Sequence, residues 1–191
     1  MTKPYSRLKS KCGCSSTDRA TAYGAVGCRF KSCQPRLSFM TTLPHLMQLA
    51  FDQALVAFEK GEVPVGAVVA KDGEPLGLGH NLTLTLKDPT AHAEMMAIRD
   101  ASSKLGDWRL SGCQIYVTLE PCVMCVGAIL LSRIETINFL AYDPKDGACG
   151  STRNLAVQPV FGHCAKVVKI DDGGRSSDLI REFFRLRREN K

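Results

Sequence analysis

From residue 43 onward the chain alternates between two hydrophobic periods. Residues 43–60 place Leu46, Leu49, Ala50, Ala54, Ala57 and Phe58 at helical spacing and stop at Gly61, which predicts a helix with one apolar face. Residues 65–71 form a short apolar run with the character of a buried strand. Asp72-Gly73 then supplies a hairpin turn into a second strand over residues 75–81. Thr90 is placed to cap a helix over residues 91–104 that ends near Gly106. Residues 115–119 read as a strand that delivers the chain to an apolar helix over residues 123–131, reaching Ser132. Residues 134–142 and 166–170 read as two further strands, and residues 177–189 as a final helix.

Strands that alternate with helices predict an α/β layered domain. The length of 191 residues allows one such domain and an appendage. No run is long and apolar enough to span a membrane as a helix. Charge separates the two parts. Residues 1–39 hold eight Lys/Arg (Lys3, Arg7, Lys9, Lys11, Arg19, Arg29, Lys31, Arg36) against Asp18 alone, a balance of +7, whereas the whole chain is +6. The basic character therefore belongs to residues 1–39, and residues 40–191 are close to neutral.

The chemistry concentrates in two segments, Thr90-Ala91-His92-Ala93-Glu94 and Pro121-Cys122-Val123-Met124-Cys125. His92, Cys122 and Cys125 would give zinc three protein ligands and leave a fourth tetrahedral position for water, the pattern of a catalytic site rather than a closed structural one. Pro121 suits the entry to a helix, and cysteines three apart in its first turn share a face, so both sulfurs reach one metal. The positive end of that helix favours thiolate over thiol. Glu94 lies two residues from His92, roughly 200° around an ideal helix, so it is expected to reach a metal-bound water as a proton carrier and not to act as a ligand. Taken singly, a C-x-x-C is often half of a structural zinc site or a redox pair, and His-Ala-Glu is usually helix surface. Cys113, Cys149, Cys164 and His163 show no spacing that would close a structural site, and the apolar helix around the cysteines does not follow the redox pattern.

The combined His-x-Glu and Pro-Cys-x-x-Cys pattern resembles the zinc-dependent deaminases of the cytidine deaminase superfamily. Within it, residues 46–188 resemble the bacterial tRNA adenosine deaminases most closely, through Gly61-Glu62-Val63-Pro64-Val65-Gly66-Ala67-Val68-Val69, Asp88-Pro89-Thr90-Ala91-His92-Ala93-Glu94 and Thr118-Leu119-Glu120-Pro121-Cys122-Val123-Met124-Cys125. Guanine deaminases share much of the second stretch. Ser132-Arg133-Ile134 and Phe183-Phe184-Arg185-Leu186-Arg187-Arg188 favour the tRNA branch. The resemblance implies a three-layer α/β/α fold with a five-stranded mixed sheet and helices on both faces. It implies one zinc ion per subunit, a homodimer, a tRNA anticodon stem-loop as partner, and hydrolysis of the wobble adenosine, of an arginine tRNA, to inosine with release of ammonia. In that chemistry Glu94 takes a proton from the water that attacks C6 and passes protons to the ring nitrogen and the departing amine.

The resemblance also carries substrate contacts to Asn81, Asp143, Phe184, Arg187 and Arg188, with Phe183 packed inward. From the residues alone, Asn81 and Asp143 read equally as turn residues, and the final helix as an amphipathic one with solvated arginines. The chain departs from the family at His80, Leu82 and Thr83, where tryptophan, arginine and proline are common, and at Tyr142, where arginine is common. Two other functions fit less of the pattern. A deaminase of guanine or another free base or nucleoside has no need of a basic aromatic tail. A catalytically silent, zinc-stabilised RNA-binding module has no need of Glu94.

Residues 1–39 lie outside the resemblance and hold Cys12, Cys14, Cys28 and Cys33, four of the nine cysteines. Their spacing fits a zinc knuckle poorly. Their basic, serine-bearing composition fits an organelle transit peptide, which would relocate an otherwise cytoplasmic enzyme. The reading we favour is a third. Gly27-Cys28-Arg29-Phe30-Lys31-Ser32 reverse-translates to a sequence containing the T-loop-like run GGTTCAAATCC, and Ser15-Ser16-Thr17-Asp18-Arg19-Ala20 to one resembling a D arm. An upstream tRNA gene read as protein, with translation starting at Met40, accounts for both. The free cysteines of the remaining chain, with no regular disulfide framework, suit a reducing interior.

Overall fold

The computed structural model describes residues 44–159 and 161–189. The basic extension expected at residues 1–39, and its boundary with residues 40–191, lie outside the described residues. The first helix, α1 (His45–Glu59), starts where Pro44 offers its carbonyl to the amides of Met47 and Gln48. It buries Leu46, Met47, Ala50, Phe51, Ala54 and Ala57; Leu49 and Phe58 at the edge of the expected stripe are only partly buried, whereas Met47 and Phe51 join it. Each such side chain stabilises by roughly 1.5–3 kcal/mol on full burial. Gly61, at φ +71°, ends the helix, and the amide of Glu62 closes back on the Ala57 carbonyl.

The hairpin forms as the sequence predicts. Strands β1 (Gly66–Lys71) and β2 (Glu74–His80) pair antiparallel through Asp72 and Gly73, both at positive φ, the two-residue turn whose twist suits a hairpin. A four-residue helical turn, α2 (Thr83–Leu86), follows where no element is expected; none of its residues is buried, so no hydrophobic period marks it. Helix α3 (Ala93–Leu105) and strand β3 (Cys113–Leu119) come next, then α4 (Val123–Leu131), β4 (Thr136–Ala141), β5 (Lys166–Lys169) and α5 (Arg175–Glu189).

The five strands form one mixed sheet in the order β2-β1-β3-β4-β5, with β1 antiparallel to both neighbours and β3, β4 and β5 parallel. Alternate residues feed two cores. Ala67, Val69, Ile115, Val117, Ile137 and Phe139 pack on the α3 and α4 side, whereas Val68, Ala70 and Leu140 pack on the α1 side, where Leu179 of α5 joins them. The helices therefore cover both faces, the expected three-layer arrangement. Antiparallel β1 begins at the end of the sheet where β2, β3 and β4 finish, so residues 62–65, 81–92, 119–125 and 142–151 converge there.

Three local expectations are corrected. Thr90 does not cap α3. Its amide and hydroxyl both donate to Asp88 Oδ1 at 2.7 Å, and His92, in extended geometry, is the residue that precedes the first turn. Pro121 stands one residue before the cap of α4, so Cys122 is the cap residue and only Cys125 lies within the first turn. Helix α5 starts two residues early because Asp172 accepts from the amides of Gly174 and Ser176 at 2.9 and 2.7 Å.

Candidate active site

His92 and Cys122 occupy equivalent places on two elements: each is the extended cap residue of a helix whose N-terminus faces the other. Cap geometry leaves a side chain outside the helical barrel and free to point forward. His92 Nδ1 lies 3.8 Å from Cys122 Sγ and 3.6 Å from Cys125 Sγ, and the three ligand atoms all fall within 4.8 Å of one another. A tetrahedral zinc with bonds of about 2.3 Å to sulfur and about 2.0–2.1 Å to nitrogen separates N from S by about 3.6 Å. The donor set and its spacing fit zinc without rearrangement. Among the described residues no fourth His, Cys, Asp or Glu belongs to the cluster, and Glu94 is outside it.

Because His92 is not helical, the 200° separation expected of His92 and Glu94 does not apply. Glu94 is the second residue of α3 and is buried, at 4% exposure. Burial pushes its carboxyl up to about 7, against the opposing pull of its own backbone amide and of His92. A carboxyl near neutrality can both take and return a proton. The hydrogen bond from Cys125, together with the His92 imidazole, pulls the Cys122 thiol down to about 4, while the same bond and burial push the Cys125 thiol up. The hydrogen bond to Cys122 raises the His92 imidazole against its burial. One thiolate is thus ready for a cation, and the proton on the second is the one a metal displaces.

Two buried carboxylates that the sequence reading passed over organise the rim. Glu62 accepts from Asn81 Nδ2 at 3.1 Å and from the amides of Leu84 and Thr85 at 3.2 and 2.7 Å. Glu120 accepts from the amides of Asp143, Cys149 and Ser151 at 3.1, 2.8 and 3.0 Å, and from the Ser151 hydroxyl. It also lies under Gly147, where a Cβ would collide with the carboxylate. Both sit inside the motif segments quoted above. The available signal was a charged residue enclosed by Val63-Pro64 in one case and by Leu119 and Pro121 in the other, since a buried charge is retained where it is paired.

The remaining predicted site residues fall at different distances from this centre. Asn81 is 6% exposed at the end of β2 and is held by Glu62, with the Thr83 hydroxyl donating to its Oδ1 at 3.1 Å. Asp143 uses Oδ1 to accept from the amides of Lys145 and Asp146, the turn role that the sequence left open. Phe183 is buried and packs edge-on against Phe58 at 5.9 Å, whereas Phe184 is 43% exposed. Asp143, Tyr142, Lys169, Arg181 and Phe184 share one open groove of about 930 Å³. Phe184 and Arg188 line a second, shallower depression. Arg187 is turned back, its guanidinium 5.5 Å from the Phe183 ring and 3.5 Å from the Gly61 carbonyl. Arg181 and Arg185 are occupied by Asp178, Glu182 and Glu189.

Comparison with known proteins agrees with this geometry. Residues 40–141 match the model of the cytidine and deoxycytidylate deaminase zinc-binding region, which spans both metal segments. The tRNA-specific adenosine deaminase of Aquifex aeolicus is 45% identical over 148 residues, covering 76% of this chain and 96% of that protein. The Bacillus subtilis protein of the same name is 46% identical over 145 residues, covering 76% and 90%. A solved structure from a study of A-to-I editing by tRNA:A34 deaminases at the wobble position is 44% identical, with a TM-score of 0.63 over 66% of this chain and 97% of that one. Guanine deaminase from Nitrosomonas europaea shares the fold, with a TM-score of 0.61 at 20% identity. The metal cluster, the sheet and the identity across nearly the whole length of its relatives place this chain in the zinc-binding cytidine and deoxycytidylate deaminase family, among the tRNA-specific adenosine deaminases.

Proposed function

We propose that this protein hydrolyses the wobble adenosine of a tRNA anticodon, that of an arginine tRNA, to inosine and ammonia. The observation that carries the reading is 45% identity over 96% of a tRNA-specific adenosine deaminase, with every residue of the metal cluster in place. His92, Cys122 and Cys125 would hold the zinc, which when bound lowers the pKa of its water toward neutrality. Glu94 takes one proton from the attacking water and gives it to the ring nitrogen as oxygen adds to C6, then takes the second from the new hydroxyl and gives it to the amine, which leaves as ammonia when the C–N bond breaks; its burial suits both transfers. Asn81 contacts the flipped nucleotide. Asp143, Phe184, Arg187 and Arg188 contact the flanking RNA, with Arg187 released from Gly61 on binding. An anticodon loop makes the flipping inexpensive because its bases are unpaired.

A homodimer completes the enzyme. Helix α4 is apolar on every side, yet Val123 and Leu131 are 45% and 49% exposed, and a Cβ added at Gly127 between them would meet open space. A helix of that composition is stable when all its sides are covered. The tRNA substrate and the free cysteines favour a cytoplasmic location. No helix among the described residues is long and apolar enough to cross a membrane.

The test is incubation of the zinc-loaded protein with a short anticodon stem-loop bearing a wobble adenosine. Inosine and ammonia are expected in equal amounts. Absence of inosine with zinc bound, or turnover of free guanine instead, overturns the reading.

A further inference from the structure

We propose that Glu62 is a positioning residue for the substrate nucleotide, acting through Asn81. The inference rests on the reading above, in which Asn81 touches that nucleotide. Glu62 is fully buried, lies outside the metal cluster and takes no part in the proton transfers. Its placement begins in the chain turn after α1. Gly61 adopts the left-handed conformation, the Glu62 amide bonds the Ala57 carbonyl, and the side chain is thereby turned inward beneath the loop that follows β2.

An ionised carboxylate only accepts hydrogen bonds. Burial pushes the Glu62 carboxyl up, but the bonds from Thr85, Leu84 and Asn81 outweigh it and hold the group below its ordinary range, so it stays an acceptor. It therefore fixes which way round the Asn81 amide lies. Nδ2 must face Glu62, at 3.1 Å, and Oδ1 then faces the Thr83 hydroxyl, also at 3.1 Å. An amide has two N–H groups and two carbonyl lone pairs. With one of each committed, Asn81 is left with one donor and one acceptor in a fixed orientation to offer a ligand.

The same carboxylate bonds the amides of Leu84 and Thr85, which holds α2 against the site. Backbone bonds connect this unit to the metal. The Asn81 amide donates to Val65 and the Leu82 amide to Ala91, the residue before His92. Glu62 thus sets the position of Asn81 relative to the reacting centre while touching neither substrate nor zinc.

The experiment measures steady-state kinetics on the wobble-adenosine stem-loop, zinc content, and amide hydrogen exchange, for Glu62→Gln, Asn81→Ala and the double variant. A glutamine amide must turn a donor toward at least one of the three donors that Glu62 accepts. Glu62→Gln is expected to keep its zinc, to lose exchange protection at Leu84 and Thr85, and to raise KM by about tenfold or more. Because Asn81 holds the nucleotide in the ground and transition states alike, kcat is expected to change by less than about threefold. On the Asn81→Ala background the same substitution is expected to change KM by less than about twofold, since the group it acts through is gone. Effects that multiply in the double variant, or loss of zinc from Glu62→Gln, overturn the proposal. If Glu62→Gln does not fold, Thr83→Val carries the test from the other end of the amide. A several-fold rise in KM that disappears on the Asn81→Ala background supports the proposal, and an unchanged KM overturns it. Absence of inosine from the unaltered enzyme would instead refute the substrate reading on which the inference depends.

Discussion

His92 and Glu94 are two residues apart and are placed differently, as their proposed tasks require, because helix α3 begins between them. His92, in extended cap geometry, reaches forward to the sulfurs, whereas Glu94 lies inside the first turn, buried and held near neutrality. This separation makes the roles testable one residue at a time. Glu94→Gln keeps the side chain's shape and removes its ability to take a proton, so kcat is expected to fall by about 10² to 10⁴-fold with zinc content unchanged by metal analysis. Cys125→Ser removes a fully buried ligand and is expected to lose both zinc and activity. A Glu94→Gln protein that emerged without zinc would refute the division of labour. The convergence of His92, Cys122 and Cys125 was legible in the sequence because residue type and the spacing within each motif suit one metal. Glu62 and Glu120 were not given roles, because their partners lie 19 to 31 residues away along the chain and no local spacing reports them.

At the scale of elements, two helices approach the sheet to backbone contact, and one of them, α3, follows directly on His92 of the metal cluster. A Cβ at Gly79 of β2 would collide with the Ala93 carbonyl and the Ala97 amide of α3. One at Gly77 would collide with the same helix at Ala97 and Ala101, and one at Gly66 of β1 with α1 at Ala50 and Ala54. Backbone atoms cannot rotate away as a side chain can, so Gly79→Ala must move the N-terminal turn of α3, the turn that carries His92 and Glu94. Its expected cost is about 3 kcal/mol, at the upper end for overpacking. The expected signature is a lower unfolding temperature together with weaker zinc retention under chelator challenge. A variant with unaltered zinc retention would show that α3 can shift without disturbing the ligands. Hydrophobic period, with turn and cap residues, was enough to predict nine of the ten elements among the described residues, since it reports which face of each is buried. It missed α2, which buries nothing, and the strand–helix contacts at these glycines, which join residues distant in sequence. It also misplaced several ends by one or two residues: at Ser177 because Asp172 accepts from the Gly174 and Ser176 amides, at Thr90 because its donors are taken by Asp88, and at Pro121 because Cys122 is the cap residue of α4.

For the whole molecule, the partner that covers α4 and the start of translation each have their own measurement. Leu131 is half exposed on a face with no charged residue, so Leu131→Glu costs little in the monomer but places a charge in any interface formed there. Light scattering of the unaltered protein is expected to give a dimer, and of Leu131→Glu a monomer with its fold intact. A monomer in both cases would remove α4 as the assembly surface. The start of translation bears on how the enzyme meets RNA. If residues 1–39 are absent from the native protein, the excess positive charge goes with them, and a near-neutral enzyme must attract its tRNA through local patches such as Lys169 and Arg188. Mass spectrometry of the protein from its own cells is expected to find Met40 at the N-terminus and no peptide from residues 5–36. A native protein carrying those peptides would overturn that start site and leave the positive charge of residues 1–39 available to RNA. In that case the affinity of the full chain for a stem-loop should fall more steeply with salt than that of residues 40–191 alone, because each phosphate neutralised by the extension releases a counterion.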